Sequence, residues 1–429
     1  ARSLLKRPSF APDAFAYASA ARSCGRAGRA DDVETILGEA ERALGGRDDL
    51  LDAVCAVAMA RCGRWDHASA LHDRGAARGV ADSRRQKTAW RRRSKRRFES
   101  LSALAFPGDA DGADADATKA LETALGAAAS FGAMPSFADA AARRGYARIH
   151  FSPRAAKLAD ALCLAEDGWL RRAVARLFLM RPRCDALSLG GGPGESFAAL
   201  ATLADYVGGD RFGREEPPAR HRRPSAKVAC AVVDYEPGWA PAVADLANAM
   251  GVDDRGRGRD RGNAASQSRG SRHAVSFHGG DVTIPLDAAR NAAVAARIGD
   301  ADVVVTSYVV AENAVALRAR DYVFFRNLFR EAKDGCLFVF AETTHRLWPE
   351  ILRAALEELD GPVPLSLPTY LESGSTMIFQ KSAAPDEDDA PDARRPRDDH
   401  ASLLRRFAVD NAAHERKLRH QRAALLADS

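Results

Sequence analysis

The sequence predicts an α/β protein built on a doubly wound, largely parallel sheet, and three observations support that prediction. Short, nearly continuous apolar runs alternate with helical stretches between residues 185 and 382, as expected for strands covered on both faces. A glycine-rich turn follows the first of these runs. Two final apolar runs are joined by a short turn, which predicts an antiparallel hairpin that closes the sheet.

Length and composition exclude several classes of protein. The chain has 429 residues, of which 46% are hydrophobic and 28% charged, so at about 150 residues per domain two or three domains are expected. This apolar content excludes wholesale disorder, and no apolar run approaches the ~20 residues of a membrane span. The 7 cysteines are scattered and form no CxxC pair, which indicates reduced thiols in an intracellular protein and no metal site of that type.

Changes in composition divide the chain into four parts. Residues 1–82 are helical and repetitive, and residues 83–118 are predicted to be a linker that is first basic and then flexible. The alternation of strands and helices occupies 119–382. Residues 383–429 combine a charged linker with a C-terminal helix, expected at 401–427. Because the first residue is Ala1, we expect a processed or truncated chain.

The predicted elements of the α/β part are short. Strands are expected at 185–190, 227–234, 274–279, 302–309, 336–341, 364–371 and 375–381. Helices are expected near 195–206, 239–250, 287–298, 315–333 and 347–359. Low-complexity inserts at 208–226 and 252–273 join helices to the strands that follow them. They are therefore expected at the sheet edge opposite the carboxyl ends of the strands, where ligands bind in such folds.

An internal repeat occupies the N-terminal part. The segment Arg26–Asp31 recurs as Arg61–Asp66 with an offset of 35 residues, which predicts stacked helical hairpins. It resembles two units of the pentatricopeptide repeat, a family that implies an RNA-binding module typical of organellar proteins. The residues after the aromatic position, Ala18 and Ala53, cannot hydrogen-bond a base. A hairpin stack that contacts protein is therefore the alternative.

Residues 84–97 form a basic cluster. Nine of these 14 residues are Lys or Arg and none is acidic. Such a cluster attracts nucleic acid by releasing counterions from phosphates, and Trp90 within it is a candidate for stacking on a base. A nuclear import signal and a solvated helix surface are the alternatives. The repeats favour a mitochondrion or chloroplast over the nucleus, and RNA is the expected partner.

The glycine-rich turn after the first strand is the most specific chemical signal. Gly190, Gly191, Gly192 and Gly194 precede a helix, so the backbone can approach a ligand closely and direct N–H groups at it. Dinucleotide sites require glycines at i, i+2 and i+5, which no register of this turn provides. The spacing found here, i, i+2 and i+4, resembles the first motif of the class I S-adenosylmethionine-dependent methyltransferases.

The segments that follow resemble the same superfamily in the same order, over residues 145–382. The resemblance implies that Asp234, at the tip of strand two, binds the cofactor ribose, with Glu236 as the alternative. It implies that Asp281 contacts the adenine amino group, with an ordinary helix cap as the alternative, and that Ser307 faces the methyl group. A Rossmann-like, seven-stranded sheet of the methyltransferase type and S-adenosylmethionine (SAM) as cofactor follow from it.

One position departs from that superfamily, and the acid–base candidates are few. The acid usually found two residues before the first glycine is Ser188 here, which leaves a weaker cofactor site or a non-catalytic scaffold as alternatives. Tyr308, Glu312 and His345 are candidates for proton transfer, and Tyr308 and Glu312 are the predicted catalytic pair. Cys336 begins strand five, the wrong end for a cytosine C5 nucleophile.

The leading hypothesis is an RNA methyltransferase that receives RNA from the repeats and the basic segment. One alternative is a non-catalytic RNA-binding or ribosome-assembly factor with a vestigial methyltransferase fold. Another is a protein or small-molecule methyltransferase. Just before the domain, Tyr146, His150 and Phe151 are expected as core or cap residues, with folding over the cofactor as the alternative.

Overall fold

A mixed β-sheet organises the C-terminal part of the chain. The structure is a computed structural model that describes residues 12–45, 49–74, 84–107, 113–131, 136–165, 168–208, 226–252, 273–342, 347–359, 365–366 and 376–381. His345, the segment 383–429 and nearly all of the inserts 208–226 and 252–273 lie outside these residues, so the predictions made for them stay predictions.

Eight helices precede the sheet in the described residues. They are α1 (Ala14–Arg26), α2 (Ala30–Ala43), α3 (Asp49–Arg61), α4 (Trp65–Arg74), α5 (Arg84–Ala105), α6 (Ala113–Phe131), α7 (Ala140–Cys163) and α8 (Gly168–Leu179). The strands are β1 (Arg183–Leu189), β2 (Lys227–Asp234), β3 (Ala274–Gly279), β4 (Val303–Ser307), β5 (Leu337–Ala341), β6 (Leu365–Ser366) and β7 (Thr376–Gln380).

The remaining helices alternate with these strands. They are α9 (Glu195–Gly208), α10 (Ala240–Ala249), α11 (Ala292–Ile298), α12 (Val309–Glu312), α13 (Ala314–Ala319), α14 (Val323–Glu331) and α15 (Trp348–Glu358). Single 3₁₀ turns, Pro237–Trp239 and Ala289–Asn291, lead into α10 and α11. The predicted α/β architecture is confirmed.

The strand order is β3-β2-β1-β4-β5-β7-β6. The strands β1 to β5 are parallel, and β7 runs antiparallel to β5. Of the predicted sixth strand, 364–371, only Leu365–Ser366 are described as paired. The order reverses at β1, which pairs with β2 on one side and β4 on the other. Such a switch point opens a crevice at the carboxyl ends of the strands.

Helices cover both faces of the sheet because the strands alternate apolar side chains between two cores. On β4, Val303 and Val305 belong to the core beneath α7, α9 and α10, whereas Val304 belongs to the core beneath α11, α14 and α15. The burial of whole strands fixes their register, because a shift by one residue exchanges the two faces.

The prediction of a linker over 83–118 is wrong wherever the structure describes it. Helix α5 covers 84–105, and α6 begins at residue 113. The helix forms because Trp90, Ser94, Phe98 and Leu101 recur at helical spacing and are all buried. Trp90 therefore cannot stack on a base. Its ring lies 4.7 Å from that of Tyr206, and its Nε1 donates to Asp160 Oδ1 (2.6 Å).

Two further boundaries differ from the predictions. The single helix expected at 315–333 is two helices, because Asp321 and Tyr322 adopt left-handed backbone angles (φ 48° and 55°) that end α13. Strand β4 stops at Ser307 rather than at residue 309, because Tyr308 also adopts a left-handed conformation (φ 58°) and begins α12.

The N-terminal helices form two hairpins with equivalent ends. Helices α3 and α4 begin 35 residues after α1 and α2, at Asp49 and Trp65. Gly28 and Gly63, between the helices of each pair, take φ values of 72° and 77°, which favour glycine. Ala18 is buried within the first hairpin. Membership of the pentatricopeptide family stays a prediction.

The described residues contain neither a membrane-spanning helix nor a cluster of metal-ligating side chains. None of the helices placed in the structure combines the length and apolarity needed to cross a bilayer. In the same residues, no group of three or more His, Cys, Asp or Glu side chains is arranged to hold a metal ion.

Replacing Trp90 tests its role in the core. We expect Trp90→Ala to lower the free energy of unfolding by about 3–5 kcal/mol, because it leaves a cavity between α5 and α9. Trp90→Phe keeps most of the ring and loses the hydrogen bond to Asp160, at a cost of about 1–2 kcal/mol. Urea denaturation measures both. Phe15→Ala is the control, since that ring is 69% exposed. A cost for Trp90→Ala as small as that of the control would contradict this placement.

Candidate active site

A cleft opens at the carboxyl ends of β1, β2 and β4, at the switch point of the sheet. The space between its lining residues, including the part that is open to solvent, is about 610 Å³. The walls are the glycine turn, the segments after β2, β3 and β4, Phe137, and Tyr146 and Arg154 of α7. Of the predicted cofactor residues, Gly190, Gly192, Asp234, Asp281 and Ser307 line this cleft, whereas Gly191 and Gly194 do not. The two catalytic candidates also line it.

The glycine turn has the conformation that only glycine adopts without strain. Gly190 has φ 63°, and a Cβ there would lie 2.7 Å from Val309 Cβ. Its N–H donates to the carbonyl of Val233 (2.9 Å), which ties the turn to β2. Gly192 has φ 39° and lies against Trp239. Any side chain at these positions would strain the turn or fill the space beside it.

Asp234 is the ribose candidate that the structure places in the cleft. Its Oδ2 accepts from the Gly192 N–H (3.0 Å), and its Oδ1 accepts from the Glu236 N–H (3.0 Å). Burial raises the pKa of the Asp234 carboxyl to about 6. The alternative, Glu236, does not line the cleft, because its carboxylate accepts from the Gly238 N–H (2.8 Å).

Asp281 lies on the neighbouring wall, after β3. Its Oδ1 accepts from both the N–H (2.8 Å) and the hydroxyl (2.7 Å) of Thr283. Asn291 fixes the backbone at this point, since its Oδ1 accepts from the Asp281 N–H and its Nδ2 donates to the Asp281 carbonyl. Asp281 therefore stabilises a turn rather than a helix, and its other oxygen stays available on the cleft wall.

The acid that the sequence pattern lacks at Ser188 has a counterpart at Glu195. The Ser188 side chain is buried behind the turn, where a Cβ on Gly191 would lie 2.5 Å from its Oγ. Glu195 is the first residue of α9, lines the cleft and is 1% exposed. Its Oε1 accepts from the Ser307 hydroxyl (3.2 Å), and its Oε2 has no hydrogen-bond partner among the described residues.

Helix α7 contributes a cation that the sequence analysis missed. The Arg154 guanidinium lies 3.9 Å from the centre of the Tyr308 ring and 5.0 Å from that of Tyr146. It donates to the Tyr146 hydroxyl (2.6 Å) and forms no ion pair with any described carboxylate. No sequence pattern links Arg154 to the glycine turn, which begins only at Gly190. Arg154 reaches the cleft because α7 packs beside it.

The three residues singled out on α7 have different roles. Tyr146 lines the cleft, Phe151 is fully buried in the core, and His150 Nε2 lies 3.0 Å from Glu122 Oε1 on α6. Only Tyr146 therefore fits the alternative in which these residues cover a ligand.

The residues after β4 complete the cleft. Glu312 and Asn313 line it, and Glu312 forms no hydrogen bond or ion pair with a described residue. Tyr308 accepts a hydrogen bond from Lys157 Nζ (3.3 Å). Lys157 also donates to the backbone carbonyl of Glu342 (2.8 Å), which joins α7 to the end of β5.

Buried carboxyl groups are concentrated around this cleft. Burial raises the pKa of Glu312 to about 8 and that of Glu195 to about 7. Glu342, whose Oε1 accepts from the Val310 N–H (2.8 Å), has its pKa raised to about 7 by burial. Arg154 is the nearby cation that opposes each of these shifts. A cationic or hydrogen-bond-donating ligand would therefore be favoured here.

Cys336 lies just before β5 and is fully buried at the opposite end of that strand. It is therefore remote from the cleft, as the sequence predicts.

Comparison with known proteins gives structural neighbours only. No family model matches the sequence, and a search of curated proteins found no match. A TehB-like SAM-dependent methyltransferase from Corynebacterium glutamicum is 13% identical, over 47% of this chain and 83% of its own, with a TM-score of 0.28. A SAM-dependent methyltransferase from Methanosarcina mazei is 10% identical (48% and 95%, TM-score 0.28). A putative class I SAM-dependent methyltransferase from Listeria monocytogenes is 11% identical (71% and 91%, TM-score 0.32).

The buried carboxyl of Glu312 predicts a pH-dependent stability. A carboxyl whose pKa is higher in the folded than in the unfolded state favours folding at low pH, and that contribution is lost as pH rises from about 4.5 to about 8. Glu312→Gln lacks this loss. We therefore expect it to gain stability relative to the wild type between pH 5 and pH 9, on the order of 1–3 kcal/mol.

Urea titrations of both proteins at the two pH values measure this difference. Glu331→Gln, at an exposed position on α14, is the matched control and should leave the pH profile unchanged. Parallel profiles for Glu312→Gln and the wild type would contradict the burial of the Glu312 carboxylate.

Proposed function

We propose that this protein is a SAM-dependent methyltransferase. The observation that supports it best is the hydrogen bond in the cleft that links the end of β1 to the end of β2. There, the glycine turn after β1 donates the Gly192 N–H to the Asp234 carboxylate at the tip of β2. A nucleoside bound here would lie against the backbone of the glycine turn, which carries no side chains. Its ribose would lie within reach of the Asp234 carboxylate.

Two features favour this cofactor over a dinucleotide. The glycines follow one another at i, i+2 and i+4, so the third glycine of the dinucleotide fingerprint is replaced by Glu195. The sheet also carries an antiparallel β7 beside β5, whereas the dinucleotide fold continues with parallel strands in the order 3-2-1-4-5-6.

The cleft residues fit the parts of SAM. Asp234 would accept the ribose hydroxyls, and Asp281 would accept the adenine amino group with the oxygen that Thr283 leaves available. The unpartnered Oε2 of Glu195 would accept from the methionine amino group, since a buried acceptor is otherwise costly. Arg154, which has no described carboxylate partner, would bind the methionine carboxylate with its planar guanidinium.

SAM, when bound, supplies an electrophilic methyl group on a sulfonium. The protein's contribution is to hold the acceptor in line with that group and to exclude water. Ser307 and Tyr308, on the wall after β4, would face the methyl group. The rings of Tyr146 and Tyr308, stacked on Arg154, close the cleft on the side of α7.

Glu312 is the residue proposed to take a proton from the acceptor. Its carboxylate lines the cleft. Because burial raises its pKa to about 8, the ionised form is a stronger base than an ordinary glutamate. Tyr308 has its pKa raised by burial, so it acts as a neutral hydrogen-bonding group that orients the acceptor.

RNA is the proposed acceptor, and an organelle the proposed location. The basic segment on α5 and the 35-residue hairpin repeat support these choices. The rival proposals are a non-catalytic RNA-binding factor and a methyltransferase that acts on protein or a small molecule. Glu195 counts against a vestigial site, because it supplies an acid in the cleft although Ser188 does not.

Calorimetric titration of SAM into the full chain tests the cofactor site. We expect micromolar binding that Asp234→Ala weakens at least roughly tenfold, because the ribose loses a charged hydrogen-bond acceptor. Asp234→Asn, which keeps one oxygen for the turn, separates this loss from misfolding. Asp245→Ala, at an exposed position on α10, is the matched control. Absence of SAM binding to the folded wild type would overturn the proposal.

Methyl transfer tests the role of Glu312. With radiolabelled SAM and unmodified ribosomal RNA transcribed in vitro, we expect Glu312→Gln to lower the turnover rate by about 10²–10⁴ while SAM affinity is kept. Wild-type turnover should rise with pH to a plateau above about 8, where Glu312 is ionised.

Glu331→Gln is again the control for the loss of one carboxylate. Turnover by Glu312→Gln with an unchanged pH profile would exclude Glu312 as the base. Transfer to a protein fraction and not to RNA would favour the second rival proposal.

A further inference from the structure

A uniformly basic surface lies on α5, on the outside of the domain. Between residues 91 and 97 every side chain but one is cationic and exposed. The exception is Ser94, which is 1% exposed. The cationic residues, here called the α5 basic face, are Arg91, Arg92, Arg93, Lys95, Arg96 and Arg97.

The packing of α5 fixes which way this face points. Trp90, Ser94, Phe98 and Leu101 form the buried stripe of the helix. Residues that follow a buried one by two positions lie about 200° around the helix. Arg92 and Arg96 therefore point directly away from the core and lie one turn apart.

Little of this charge is neutralised by the residues that the structure describes. Arg91 lies 3.8 Å from Asp160 and Lys95 lies 3.9 Å from Glu99, both exposed pairs that are worth little. Arg92, Arg96 and Arg97 form no hydrogen bond or ion pair with any residue that the structure describes. An unneutralised row of arginines costs stability through repulsion, so a ligand that supplies negative charge is indicated.

The α5 basic face and the cleft share helix α7 as their support. Trp90 is bonded to Asp160 on α7, and Phe106, just beyond the other end of α5, lies 5.2 Å from Phe151. The two helices therefore run antiparallel. Asp160 follows Arg154 by six residues, about 9 Å along the helix axis. A nucleic acid bound to the α5 basic face would therefore lie on the helix that packs against α7, and α7 lines the cleft.

We propose that the α5 basic face is a docking surface for the phosphodiester backbone of RNA. This inference rests on the proposed function, since it names how the acceptor is held. Contacts of this kind position a nucleic acid without reading its sequence. A protein partner fits less well, because protein interfaces have an apolar and aromatic centre, and residues 91–97 expose no apolar side chain.

Fluorescence anisotropy of the full chain with a fluorescein-labelled, unstructured 20-nucleotide RNA tests the surface. The test variant is Arg92→Glu/Arg96→Glu. The charge-matched control is Arg330→Glu/Arg353→Glu on α14 and α15, which makes the same change of net charge on the other face of the sheet. Because Arg330 pairs with Glu358, the SAM titration also shows whether this control is folded. A titration of SAM into each protein accompanies every measurement.

The α5 variant should bind this RNA at least roughly tenfold more weakly in 0.1 M salt than the wild type. It should also lower the slope of log affinity against log salt by about 1.4, which is the loss of two single-strand phosphate contacts. The control should bind RNA like the wild type, and both variants should bind SAM like the wild type.

Equal losses in the two variants would assign the effect to net charge and overturn the proposal. Wild-type RNA binding that the α5 variant leaves intact would place the RNA site elsewhere, with the N-terminal hairpins the first candidate. Tighter binding of duplex DNA of the same sequence would assign the face to DNA. RNA binding that depends on α5 without any binding of SAM would support this surface and reject the proposed enzyme.

Discussion

The hydrogen bond from the Gly192 N–H to the Asp234 carboxylate is the constraint on which the cleft depends. It joins a turn that only glycine can form to the end of the neighbouring parallel strand, and it places an acid at the mouth of the switch point between β1 and β4. The bonds from the Gly190 N–H and the Gly280 N–H, to the carbonyls of Val233 and Asp234, extend the same network to β3. The site is therefore a property of the sheet edge rather than of a mobile loop, and ligand binding need not order it.

The second constraint is electrostatic. Glu195, Glu312 and Glu342 are drawn into one low-dielectric region with Arg154 as the guanidinium beside them, and their raised pKa values record the cost of that burial. A protein selected only for stability would replace such a cluster with apolar side chains. The presence of these carboxyls is explained if a ligand binds among them. A bound cation needs a carboxylate beside it, and removal of a proton needs a base that is not already hydrogen-bonded to water.

The sequence was sufficient for the sheet but not for what covers it. The apolar runs and the glycine turn predicted the strands, and the cofactor candidates Gly192, Asp234, Asp281 and Ser307 were brought together because parallel strands end at one edge. The helices that cover the sheet and the cleft could not be placed from the sequence, because their positions depend on packing between elements that are distant in the chain. Trp90 stands in a cationic segment, which makes it a candidate for stacking on a base, yet its burial against Tyr206 makes that segment a helix of the core. Arg154 and Glu195 carry no motif, and only their approach across the cleft shows their part in it.

Helix α7 links these observations. One side carries Tyr146 and Arg154 into the cleft, and another side receives α5 through Asp160 and Phe151. The contact between Phe106 and Phe151 and the bond from Trp90 to Asp160 pack the two helices against each other. Helix α7 therefore fixes both where the α5 basic face lies relative to the cleft and where Arg154 stacks against Tyr308. The packing that buries Trp90 in the core is thus part of what positions the guanidinium in the cleft.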